Sequence, residues 1–124
     1  HDGGVPLVAG TDAPTIPGLV PGFSLHEDLQ ALREAGFTPY EALATTTRVP
    51  GELISRTVPG AEPFGTIRPG QRADLILSEG NPLEDLATLR RPLGVMAQGR
   101  WHDRADLQAL LDDVAARYAR ALPH

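Results

Sequence analysis

Val5-Pro6-Leu7-Val8-Ala9-Gly10-Thr11-Asp12 is an apolar run that ends abruptly on a carboxylate. A short apolar run bounded by turn signals fits a strand buried on both faces, as in the parallel sheets of α/β proteins. Such folds gather their chemistry at the C-terminal ends of their strands. Here that end supplies Gly10, which lets another backbone or a ligand come close, the Thr11 hydroxyl, and the Asp12 carboxylate, suited to a metal or a proton. Taken alone, the run also fits a turn in which Asp12 caps the backbone before Pro14.

Downstream, Pro14, Pro17, Gly18, Pro21 and Gly22 read as a long loop leaving the acidic end of the strand, the kind of loop that shapes a pocket. Ser24 followed by Glu27 has the spacing of a capping box, so a helix is expected to begin there. Leu25, Leu29 and Leu32 fall on one helical face, and Gly36 supplies a left-handed stop. The pattern repeats with Thr38 as N-cap, Pro39 at the first helical position and Glu41 closing a second box. This second helix carries Ala42, Leu43 and Ala44 and is expected to end before Pro50, which disfavours helical geometry at Val49; a short helical turn follows through Glu52, Leu53 and Ile54.

From Ser55 the texture changes to short apolar runs separated by Pro and Gly. Arg68-Pro69-Gly70-Gln71 reads as a type II turn between two strands, 65–67 and 73–77. Residues 79–82 make another turn, and 83–89 cross over as a short helical or irregular segment. A hairpin is expected around Gly99-Arg100, flanked by 93–98 and by Trp101-His102. Asp103 can cap a last helix whose Leu107, Leu110, Leu111, Val114 and Tyr118 recur at spacings of three and four, and that stripe, with Trp101, reads as core. Asp74 interrupts an apolar strand; the simplest role for it is to accept backbone N–H groups at the turn after Pro69-Gly70.

With 124 residues the chain has room for one modest core. A net charge of -5, with basic residues that are all arginine and mostly scattered singly, argues against nucleic acid as a partner. The absence of cysteine rules out a disulfide framework and a thiolate metal site, and is compatible with a cytoplasmic location. No apolar run approaches the ~18 residues needed to span a membrane, so a membrane partner is not expected. No Ser–His–Asp set, phosphate-cradling glycine loop or heptad seam is present.

An ordered set of motifs resembles the C-terminal part of amidohydrolase-superfamily enzymes, in particular the imidazolonepropionase-like and Xaa-Pro dipeptidase-like branch. The motifs are Ala9-Gly10-Thr11-Asp12-Ala13, Pro21-Gly22-Phe23-Ser24-Leu25-His26-Glu27-Asp28-Leu29, Glu34-Ala35-Gly36-Phe37-Thr38-Pro39-Tyr40-Glu41-Ala42-Leu43 and Ala44-Thr45-Thr46-Thr47. They continue with Gly65-Thr66-Ile67-Arg68-Pro69-Gly70, Ala73-Asp74-Leu75-Ile76-Leu77, Gly80-Asn81-Pro82-Leu83 and Gln98-Gly99-Arg100. Each piece is common, but the ordered set is specific. The chain departs from the family at Val49-Pro50-Gly51, where Asn-Pro-Ala is usual, losing an Asn cap and gaining a conformationally free glycine.

The resemblance implies an α/β fold, namely the C-terminal fragment of a metal-dependent (β/α)8 barrel hydrolase. Residues 1–57 would supply the last barrel strand and its helices, 58–103 the C-terminal share of a small composite β-sandwich, and 104–124 an amphipathic helix and tail. It implies hydrolysis of amide or cyclic amide C–N bonds of a small-molecule substrate, with a divalent metal, zinc by preference, activating water. Asp12 would bind or adjoin that metal and carry a proton from the attacking water to the departing nitrogen.

The family's paired histidines of the first strand and the ligands of its middle strands have no counterpart here. A catalytic zinc takes about three protein ligands, so the isolated chain is expected to be inactive. Of the four histidines, His1 lies at the far end of the run from Asp12, His102 sits in the expected hairpin, and His124 is the last residue. His26 alone follows the loop that leaves Asp12, and the resemblance places it near the pocket; His26 and Thr11 are therefore the substrate-binding candidates. The alternative reading is a non-catalytic assembly domain that forms a homo-oligomer or complements a separate N-terminal half, because a lone barrel strand has unpaired edges and apolar faces.

Overall fold

The computed structural model describes residues 3–121, so His1 and His124 lie outside the described residues. Its elements run α1 (Ser24–Glu34), α2 (Pro39–Thr46), α3 (Arg48–Thr57), β1 (Leu75–Leu77), a 3₁₀ helix (Leu86–Arg90), β2 (Gly94–Ala97), β3 (Arg100–Asp103) and α4 (Arg104–Ala121). This is a mixed α/β arrangement around one three-stranded antiparallel sheet of order β1-β2-β3.

Residues 5–12, expected as a buried strand, form no strand ladder. Val5, Leu7 and Val8 are exposed, and the segment is tied to the helical layer by a bond from the Ala9 N–H to the Thr45 carbonyl, 3.1 Å. A central barrel strand needs a hydrogen-bonded neighbour on each side. The described residues offer it no parallel partner.

α1 begins at Ser24, but not through the expected capping box. Phe23 occupies the N-cap without a side-chain hydrogen bond, and the buried Ser24 hydroxyl accepts from the Val20 N–H at 2.9 Å. The helix stops at Gly36, whose φ of +96° is the left-handed geometry that glycine adopts without penalty. The second box forms as read: Thr38 accepts from the Glu41 N–H at 3.2 Å while the Glu41 carboxylate accepts from the Thr38 N–H at 2.7 Å. An N-cap of this kind stabilises a helix by about 1 kcal/mol.

Val49 is helical, contrary to the expectation that Pro50 would exclude it. α2 breaks instead at Thr47 (φ −128°, ψ −86°), and Pro50 falls in the first turn of α3, where its missing N–H removes no intrahelical bond. The expected loss of an Asn cap does not apply at Val49, which lies inside α3; the N-cap is Thr47, which makes no side-chain cap and donates its hydroxyl back to Leu43 O. Gly51, however, is buried and packed. A Cβ there would lie 2.2 Å from Phe64 O, and a Cβ on Gly65 (φ +93°) would lie 2.4 Å from Thr47 O. These reciprocal backbone contacts clamp α3 onto the segment that follows it.

Residues 65–67 form no strand, because that clamp holds Gly65 against α3 rather than in a ladder. The turn at 68–71 does form, with Gln71 N–H bonded to Arg68 O and Gly70 at φ +81°. The hairpin is centred one residue earlier than expected. Gln98 (φ +50°) and Gly99 (φ +79°) occupy the turn and Ala97 pairs with Arg100, the geometry of a two-residue I′ connection. The Trp101 ring covers Gly94, where a Cβ would meet it at 2.1 Å.

Asp74 is a structural acceptor, though at the hairpin rather than at the turn after Gly70. Its carboxylate accepts the Gln98 N–H at 2.7 Å and the Arg72 Nε–H. The Gln98 bond first, and then Arg72, hold its carboxyl below the usual carboxylate range. A depressed carboxyl stabilises the fold above its unfolded pKa, and that contribution disappears as pH falls through the lower folded value. The melting temperature should therefore drop as pH falls below about 4, where carboxylates begin to protonate. Asp74→Asn should flatten that drop while lowering the neutral-pH value; parallel acid profiles for the two proteins would contradict the assignment.

The core is small, comprising Leu29, Ala42 and Ala44 with Ser24 and Thr45. Asp103 caps α4 as expected, accepting from the Asp106 N–H at 2.9 Å. The α4 stripe is not core, however: Leu110, Leu111, Val114 and Tyr118 are about half exposed or more, and so is much of Trp101. β2 and β3 both contact the 18-residue α4, but four-residue strands span far less than its length. No helix among the described residues is long and apolar enough to cross a membrane.

Candidate active site

The loop 10–23 positions the two polar groups at the end of the apolar run. Thr11, half-buried, accepts the Ala13 N–H on its hydroxyl at 3.2 Å and so closes a local turn. Asp12 adopts φ +54°, a left-handed conformation that Asp tolerates better than most residues, and its carbonyl accepts both the N–H and the hydroxyl of Thr15. These bonds use the Asp12 backbone and leave its exposed carboxylate free of ion pairs among the described residues. A free, exposed carboxylate can accept a proton or ligate a metal.

His26 lies in the first turn of α1 and is half-buried, on the helix that packs against the 3₁₀ helix. Burial and then the Arg90 cation lower its pKa, a shift that favours the neutral imidazole. A neutral imidazole accepts on one nitrogen and donates from the other, which suits a substrate contact. No ion pair joins His26 to Asp12 among the described residues. His102 stands on β3 opposite Val95, in a separate part of the molecule.

Among the described residues, no three His, Cys, Asp or Glu side chains are grouped to hold a metal ion. The donor set of the described residues therefore does not fit a catalytic zinc by itself.

The sequence matches no protein-family model. It is 36% identical over 94 residues to ochratoxinase of Aspergillus niger, a match covering 74% of this chain and 18% of the relative. The same match recurs with ochratoxinase of two further strains of that fungus. In three dimensions the chain resembles the crystal structure of an amidohydrolase with a TM-score of 0.53 and 28% sequence identity, over 63% of this chain and 19% of that one. Both comparisons support the amidohydrolase superfamily. The chain spans less than a fifth of the ochratoxinase and of the amidohydrolase structure that it matches. Amidohydrolases are generally metal-dependent, and the stretch matched here is a portion of each of these relatives.

The cleft between α3 and the segment 63–71, described below, went unnoticed in the sequence. Its only advance signal was the recurrence of arginine at positions 48, 56 and 68.

Proposed function

We propose that this chain is the C-terminal portion of a metal-dependent amidohydrolase of the imidazolonepropionase-like or Xaa-Pro dipeptidase-like branch, cleaving amide or cyclic amide C–N bonds. The observation that carries this reading is the 94-residue match to ochratoxinase, supported independently by the structural likeness to an amidohydrolase. Asp12 is the acid of the site. In hydrolysis, water oxygen bonds to the carbonyl carbon, the C–N bond breaks, and the proton released by the water reaches the departing nitrogen through the Asp12 carboxylate. Thr11 shapes the turn that presents this carboxylate, and His26 contacts the substrate from α1. Asp12 would be one ligand of a metal whose remaining ligands lie outside this chain.

The exposed surface favours a portion that docks onto a larger body. The chain exposes 9234 Å², against about 6,400 Å² for a compact monomer of this length. The difference exceeds the ~800 Å² that each partner buries in a standard interface. Val5, Leu7, Val8 and the α4 stripe are among its exposed apolar side chains. This excess equally favours the second reading, an assembly domain complementing a separate N-terminal half or a further copy of itself.

One preparation of the 124-residue chain tests both readings. The hydrolase reading expects no stoichiometric zinc and no amide hydrolysis from the chain alone. It also expects self-association or aggregation in size-exclusion chromatography. Zinc bound one to one, with hydrolysis lost on Asp12→Ala, would refute the inactivity. A monomer with a cooperative melt would refute both the torn-portion and the assembly readings.

A further inference from the structure

A cleft of about 270 Å³ lies between α3 and the segment 63–71. Arg48, Arg56 and Arg68 line it, against a single carboxylate, Glu52. Arg48 and Glu52 neutralise each other at 2.7 Å. Arg56 and Arg68 have no ion-pair partner among the described residues, so both cations face the cleft uncompensated. Thr66 donates its hydroxyl to Gln71 Oε1 at 2.7 Å, which fixes the Gln71 amide and leaves its NH2 free to donate.

The two walls are held in register by backbone contact. The Gly51–Phe64 and Gly65–Thr47 approaches join them directly, so the arginines project from elements that cannot drift apart without breaking that packing. The volume falls below the ~300–1,000 Å³ of pockets for drug-sized ligands and suits a group of a few atoms. Guanidinium forks pair bidentately with planar or tetrahedral oxyanions, and a free amide N–H adds a third direction.

We propose that this cleft binds a small oxyanion, of the phosphate or carboxylate class, with Arg56 and Arg68 as its main partners and Gln71 as a further donor. The site is separate from the hydrolytic reading and stands or falls without it.

The test titrates the purified chain at low ionic strength, where screening is weak, with inorganic phosphate, with succinate and with sodium chloride, followed by calorimetry and by backbone amide shifts. Saturable binding of phosphate or succinate but not chloride is expected, with shifts centred on Thr66 and Gln71. Phosphate in preference to succinate assigns the phosphate class, and the reverse assigns the carboxylate class. Arg56→Gln/Arg68→Gln should weaken binding at least about tenfold, the effect of losing one charge-assisted hydrogen bond. Arg91→Gln/Arg100→Gln, neither of which lines the cleft, should leave it unchanged. Absence of saturable binding, or equal loss in both double variants, would overturn the proposal.

Discussion

Replacing Gly65 by alanine is expected to destabilise the chain by about 2–5 kcal/mol, combining the ~1–2 kcal/mol cost of a left-handed non-glycine residue with the ~1–3 kcal/mol of overpacking. Gly65 has φ +93° and its added Cβ would lie 2.4 Å from the Thr47 carbonyl oxygen, a backbone atom that no rotamer change can move. Gly51→Ala makes the sharper comparison. In an exposed helix interior this substitution normally stabilises by up to about 1 kcal/mol. Here a Cβ would come 2.2 Å from Phe64 O, so the sign should reverse. Urea melts of both variants check this; a Gly51→Ala chain more stable than its parent would show that α3 and Phe64 are not in contact.

In a complete amidohydrolase carrying this segment, Asp12→Asn is expected to reduce turnover by about 10²–10⁴-fold, the range that a positioned general acid–base contributes. The amide keeps the size of the side chain but cannot carry the proton. Substrate affinity should change far less than turnover, because a proton carrier acts in the transition state. Metal content separates the two parts of the role: a variant that keeps its metal and loses turnover points to proton transfer, whereas loss of metal points to ligation. Turnover within about tenfold of the parent would remove Asp12 from the mechanism.

The carboxylate was legible because it ends an apolar run, and Thr11 and His26 because they border the loop that begins there. What each of them contacts was not. Thr11 bonds to Ala13, and the charge that acts on His26 is Arg90, contributed by a segment 64 residues further along the chain. Local spacing carries no information about such a neighbour. The arginine cleft is similar, since its walls are separate stretches brought together by the contact of two glycines.

The sequence by itself determined what a few consecutive residues decide: the Thr38–Glu41 and Asp103–Asp106 caps, the stop at Gly36, the Arg68–Gln71 turn and the existence of a hairpin. Each rests on bonds within four or five residues, or on a φ that glycine alone takes freely. Tertiary structure decided whether apolar patterns became core. Residues 5–12 and the α4 stripe have the periodicity of buried elements, yet both lie exposed, because burial needs a partner surface and the described residues do not supply one. It also decided that Gly51 is a packing contact rather than a loose joint, since only the fold brings Phe64 against it.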